Sequence, residues 1–237
     1  MKISKMKTLI TITLIFIAVT SFSTKSTATD LTDAEKEGLQ LMREEEKLAH
    51  DVYIFLYDQW GLPAFRNISN AETRHFDAVG YLLENFEIID PALSEMGKFQ
   101  NKDITFLYDS LTQKGSESMV EALKVGAFIE EFDIADLQKL LALNNDSIIE
   151  GVYQNLLRGS NNHLRAFTGQ LESRGEIYTP VILEETVFQE IVQGRHQMGG
   201  GSGCVLQETN CPNQQNTMPA RNRNRGKGRM RGQGRWN

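Results

Sequence analysis

From Leu31 to Glu190 apolar residues return every three or four positions and almost never alternate, a period that helices bury on one face. β-branched clusters are few, so an all-α chain is expected. Capping and breaking residues divide the run. Asp30, Thr32 or Asp33 can cap a first helix reaching about Gln59, stopped by Gly61 and Pro63. Ser69 or Asn70 can cap a second, closed before Pro91. A shorter helix is expected over Asp103 to Lys114, a long one from Ser116 to Leu143, and another from Ser147 to Ser173 with Gly175 at its stop. Leu183 to Val192 reads as a short amphipathic piece lying across the others. Four principal helices and one auxiliary helix make a bundle, and 40% hydrophobic residues in a chain of 237 suffice for one core.

The two ends do not share this pattern. Lys2, Lys5 and Lys7 precede the apolar run Thr8 to Thr20, and the small residues Ser26, Thr27 and Ala28 follow, the arrangement of an export signal covering residues 1–28. That run is well short of the roughly 20 residues that span a bilayer. An exported protein, periplasmic or extracellular and with no transmembrane anchor after processing, is therefore expected, its folded domain covering residues 29–193. From Gly194 to Asn237 the chain turns to Gly, Asn, Gln and Arg, and a disordered tail is expected over 194–237. The net charge of -6 conceals an acidic body and a basic tail, so any contact with polyanions falls to the tail. Cys204 and Cys211 are expected to form a local disulfide there, and with His196 and Met198 they match no dependable metal-binding spacing.

Charged residues interrupt the apolar stripes of the body. In the first helix Met42, Glu46, Ala49 and Tyr53 share one stripe and Leu41, Glu45, Leu48, Val52 and Leu56 the next, so at least one glutamate points inward. Glu130 is the single charged member of the stripe Leu123, Ala127, Glu130, Ile134, Leu137 and Leu141. A carboxylate in such a stripe is costly unless it is protonated, hydrogen-bonded or bound to a cation. Glu72-Thr73-Arg74-His75 sets a carboxylate and an imidazole one turn apart on one helix face. Alone this means little, but the order carries more: Glu46, then Glu72 with His75, then Glu130, then His163, with similar intervals from each lone Glu to its His. Two helical hairpins related by an approximate two-fold axis around a carboxylate-bridged metal pair have this order. Helix rotation leaves Glu45 in competition with Glu46, and Glu131 with Glu130. His50 lies one turn beyond Glu46 and reads more readily as a partly exposed structural histidine. Tyr53, Tyr57 and Tyr153 can donate hydrogen bonds to ligands or serve simply as bundle-core aromatics.

Here the chain resembles the ferritin-like superfamily of di-iron and di-manganese carboxylate proteins, with Glu46 followed by Ala49 and Tyr53 as after the first ligand in those families. Closer still, the segments Met42 to Tyr53, Ile129 to Ile134 and Gly159 to His163 resemble the uncharacterised family called domain of unknown function 2202. The resemblance spans roughly Leu31 to Tyr178 and implies a ferritin-like four-helix bundle. One departure stands out. Where a rubrerythrin-like site has Glu three residues before the last His, this chain has Ser160, and solvent, Asn162 or Glu131 is left to complete the second metal's shell.

Hard carboxylates with two imidazoles suit iron or manganese, one ion or two, and no cysteine in the body competes for a softer ion. In this reading Glu72 bridges or chelates, Glu46 and Glu130 are terminal, and His75 and His163 each hold one metal. Chemistry on dioxygen, peroxide or Fe(II) follows, or storage and sensing without turnover. The competing reading is a metal-free bundle binding a partner at the cell envelope, its glutamates paired to Arg43, Arg74, Arg158 or Arg165. A hydrolase is not indicated, since the body has neither a Gly-x-Ser-x-Gly elbow nor a Cys/His pair.

Overall fold

Residues 31–194 are described by a computed structural model, and they form six helices and no strand. Thr32 starts α1 (Asp33–Trp60) with a capping box: its side chain accepts from the Glu35 backbone while Glu35 reaches back to the Thr32 backbone. Gly61, at φ 66°, ends the helix in the left-handed conformation that glycine adopts without strain. The next helix, α2 (Pro63–Asn85), begins earlier than the expected cap at Ser69 or Asn70. Pro63 arrives with φ already helical and no N–H to satisfy, so the chain turns straight back, and Ser69 hydrogen-bonds the Arg66 carbonyl inside the helix. Asn101 caps α3 (Lys102–Gly115). Ser118, rather than Ser116, caps α4 (Met119–Leu143), and Asp146 caps α5 (Ser147–Glu172). A short α6 (Glu185–Gln193) packs on α5.

α1 pairs chiefly with α2, and α4 with α5. The two hairpins meet through α1 against α4 and α2 against α5, while α3 lies on α1 and α4. The apolar core falls into two clusters. One contains Tyr53, Phe65, Leu123, Leu164 and Phe167; the other contains Leu39, Met42, Val79, Leu82, Leu137 and Leu156. Between them on each long helix lies a polar step: Glu45 and Glu46 on α1, Glu72 and His75 on α2, Glu130 and Asp133 on α4, Ser160 and His163 on α5. A polar layer thus crosses the bundle, with apolar packing on both sides keeping it from water.

α1 is covered on its outer face as well. Arg43 pairs with Asp90 at 2.8 Å and stacks on Phe76, Glu44 accepts from the backbone N–H groups of Gln100 and Asn101, and Lys47 donates to Asp51 and to the Glu95 carbonyl. The connection between α2 and α3 is tied down by these charges, which is why Arg43, Glu44 and Lys47 are buried on the outer face.

The apolar run at residues 8–20, its expected processing site, Cys204, Cys211, His196, Met198 and the basic tail lie outside the described residues. Among the described residues no helix is long and apolar enough to cross a membrane.

Candidate metal centre

Glu72 stands between the two histidines. One of its carboxylate oxygens, Oε2, is 2.8 Å from His75 Nδ1, and the other, Oε1, is 2.8 Å from His163 Nδ1. Glu46 Oε2 lies 3.3 Å from His75 Nδ1 and Glu130 Oε2 lies 3.5 Å from His163 Nδ1. Glu46, Glu72 and His75 therefore make one triad and Glu72, Glu130 and His163 a second, the donor atoms within each lying within 4.8 Å of one another. The five residues expected from the sequence are brought together, with the symmetry that their order implies.

These contacts are close without being aligned as hydrogen bonds. Both Nδ1 atoms, both oxygens of Glu46 and Glu72, and Oε2 of Glu130 are buried with no hydrogen-bond partner. Orphaned buried polar atoms of this kind are rare in proteins, and their convergence in each triad could hold a metal ion. Carboxylates and imidazoles at these positions fit a pair of divalent transition ions. Glu130 keeps its other oxygen for Tyr53, whose hydroxyl donates to Oε1 at 2.6 Å. Tyr53, Phe65 and Phe167 pack at tilted angles as an aromatic wall on that side, with ring centroids 5.2 to 6.3 Å apart.

The electrostatics of the metal-free centre follow from its burial. Burial pushes the Glu46 carboxyl up to about 7, against the pull of His75, and burial likewise raises Glu130 against His163. Glu72 is also desolvated, yet His163 and His75 together hold it below the usual carboxylate range. Desolvation would lower both histidines, but Glu46 and Glu72 carry His75 up to about 11, and Glu72 and Glu130 carry His163 up to about 10. Without a metal, protonated imidazoles supply the positive charge of the centre.

Several sequence alternatives are resolved. Glu45 is buried beside Asp136 rather than in either triad, and burial together with Asp136 raises its carboxyl well above the ordinary range. Glu131 cannot complete a metal shell, because it accepts from the Tyr178 hydroxyl at 2.5 Å and from the backbone N–H groups of Val181, Ile182 and Leu183. It anchors the segment leading into α6. Asn162 accepts from Arg165, His50 pairs with Asp51 at 2.9 Å, and the Ser160 hydroxyl turns back to the Leu156 carbonyl of its own helix. Arg43, Arg74, Arg158 and Arg165 bond elsewhere, to Asp90, the Asn70 carbonyl, Asn155 and the Ile191 carbonyl, and none of them pairs with Glu46, Glu72 or Glu130.

Two residues of the polar layer were not expected. Asp133 is 1% exposed, one helical turn beyond Glu130, and both its oxygens lack a partner; burial first, then Glu46 and Glu130, raise its carboxyl well above the ordinary range. Its i, i+3 spacing from Glu130 is the signal that already marked Glu72 and His75. The second residue is Gly159, whose missing side chain leaves room for the His75 ring.

Residues 35–195 match the family described as an uncharacterized protein domain, DUF2202. An uncharacterized protein of Methanocaldococcus jannaschii, MJ0754, is 46% identical over 170 residues, spanning 71% of this chain and 92% of its own length. The crystal structure of that hypothetical protein aligns with a TM-score of 0.70, covering 70% of this chain and 96% of the other.

Proposed function

The chain belongs to the DUF2202 family, and we propose that it is an exported metal protein of ferritin-like type, holding two divalent ions, Fe(II) or Mn(II), between α1, α2, α4 and α5. The observation that carries this reading is the shared Glu72, one oxygen toward each histidine, among buried ligand atoms that no hydrogen bond satisfies. Glu46 and His75 would hold one ion, Glu130 and His163 the other, and Glu72 both. A redox-active pair bound there would supply one-electron chemistry toward an oxidant such as dioxygen or peroxide, the activity of an oxidoreductase.

The surrounding residues support that chemistry. Tyr53 holds a proton on Glu130 Oε1 and orients that carboxylate, as outer partners of metal ligands do. Tyr53, Phe65 and Phe167 exclude water from one side. The histidines alone give the five-residue set access to solvent, with side chains 15% and 12% exposed against at most 1% for the three glutamates. Export rests on the lysine-flanked apolar run at residues 8–20.

A metal-free binding module is favoured by one observation, the ability of protonated His75 and His163 to neutralise part of the carboxylate charge. Thermal melting of chelator-stripped protein separates the two readings. With Fe(II) or Mn(II) added, the melting temperature should rise by mass action. No shift with any divalent transition metal would leave the metal-free module in place. Steady consumption of peroxide or dioxygen by the loaded protein, absent from the stripped one, tests turnover.

A further inference from the structure

On the two-ion reading just given, the centre is short of negative charge. Glu46, Glu72 and Glu130 bring three carboxylates, and His75 and His163 must bind as neutral imidazoles, whereas two divalent ions bring four positive charges. An uncompensated charge in a layer buried between two apolar clusters is costly. The shortfall has an identifiable origin. Three residues before His163, where α2 carries Glu72 before His75, α5 carries Ser160, and its hydroxyl is engaged with the Leu156 carbonyl.

Two further buried carboxylates without partners lie in the same layer, Asp133 and Glu45. They are not equivalent. After burial, the largest charged influence on Glu45 is Asp136, with Glu46 behind it. Asp133 lies one turn beyond Glu130 on the same face of α4, 1% exposed, where after burial the charges of Glu46, Glu130, Glu45 and Glu72 all act on its carboxyl. Its oxygens stand outside both triads, and no hydrogen bond tethers them. A buried, untethered acid one turn from a candidate ligand is costly unless it is protonated or bound to a cation.

We propose that Asp133 is the fourth carboxylate of the centre, supplied from α4 in place of the one that α5 lacks at Ser160, and that it is required for the second ion. With it the charges of four carboxylates and two divalent ions balance. A bundle of this kind thus keeps a two-ion centre while moving one acidic residue from α5 to the neighbouring α4.

Titration of the full-length protein with Mn(II), followed by calorimetry and by metal analysis after desalting, tests the assignment. Wild type should bind two ions, and Asp133→Asn should weaken the second by about 10- to 100-fold while leaving the first in place. Asp133→Asn with Ser160→Glu should regain the second ion, a rescue that a merely structural role for Asp133 would not produce. Glu45→Gln, which removes an equally buried carboxylate from the same layer, should still bind two. Two ions held undiminished by Asp133→Asn, or an equal loss in Glu45→Gln, would overturn the assignment. A wild type that binds a single ion also overturns it while the metal-binding reading stands, and a wild type that binds none overturns both.

Discussion

Gly159 faces the imidazole of His75 so closely that a Cβ on it would lie 2.4 Å from Cε1 and 2.5 Å from Nε2. The absent side chain of α5 therefore sets how near α2 can bring one histidine of the centre. Gly159→Ala should displace that ring, weakening the ion at the Glu46–His75 side and costing about 1–3 kcal/mol from overpacking. Gly151→Ala on the same helix meets nothing within 4 Å and should instead stabilise by roughly 0.5–1 kcal/mol through helix propensity. Urea unfolding of the two variants, with and without Mn(II), checks both statements.

Glu72 is shared by the triads, whereas the remaining ligands each serve one. Glu72→Ala should abolish most of the thermal shift produced by Mn(II). His163→Ala should lower the stoichiometry from two ions to one, measured by metal analysis after desalting. If Glu72→Ala and Glu130→Ala both keep the full shift, the carboxylate-bridged centre is refuted.

Glu131 is as buried as Glu130 but belongs to a different structure, the clamp on Tyr178 and residues 181–183. Removing it strands one hydroxyl and three backbone N–H groups, so Glu131→Ala should cost about 3 kcal/mol. Its metal stoichiometry should equal that of wild type. Denaturant unfolding paired with calorimetry distinguishes this outcome from that of Glu130→Ala, which should lose an ion.

The pH dependence should reverse when metal binds. Glu46, raised from 4.5 to about 7, and the two histidines, raised from 6.5 to about 11 and about 10, hold protons more tightly folded than unfolded. Their stabilisation is full below the unfolded values and is lost as pH rises through the native ones. Glu72, depressed, contributes above its unfolded value and loses that contribution only as pH falls through its native one. The metal-free protein should therefore melt at progressively lower temperature from about pH 5 to pH 9. The shift produced by Mn(II) should grow over the same window, because ligands must shed protons to bind. Melting curves at both pH values, with and without metal, give the two slopes.

Helical period, caps and the order Glu46, Glu72, His75, Glu130, His163 are local properties of the chain, and they were sufficient to infer six helices and the five residues that meet. A backbone whose apolar residues recur at three and four has one way to bury them, and a Glu one turn before a His on such a helix shares its face. Helix starts were less legible: Pro63, rather than Ser69, opens α2 because a preset φ can replace a capping side chain. The choice between neighbouring acids depended on what covers each helix. Glu44 is buried like Glu45 and Glu46, but by the segment between α2 and α3 that covers the outer face of α1, so burial no longer marks the inward side. Glu131 and Glu130 differ in their partners, one facing residues 178–183 and the other His163 on the adjacent α5, contacts made by residues far apart in the chain. The burial of Asp133 without a partner and the meeting of Gly159 with His75 likewise arise only when the two hairpins pack, since no local pattern records the distance between helices.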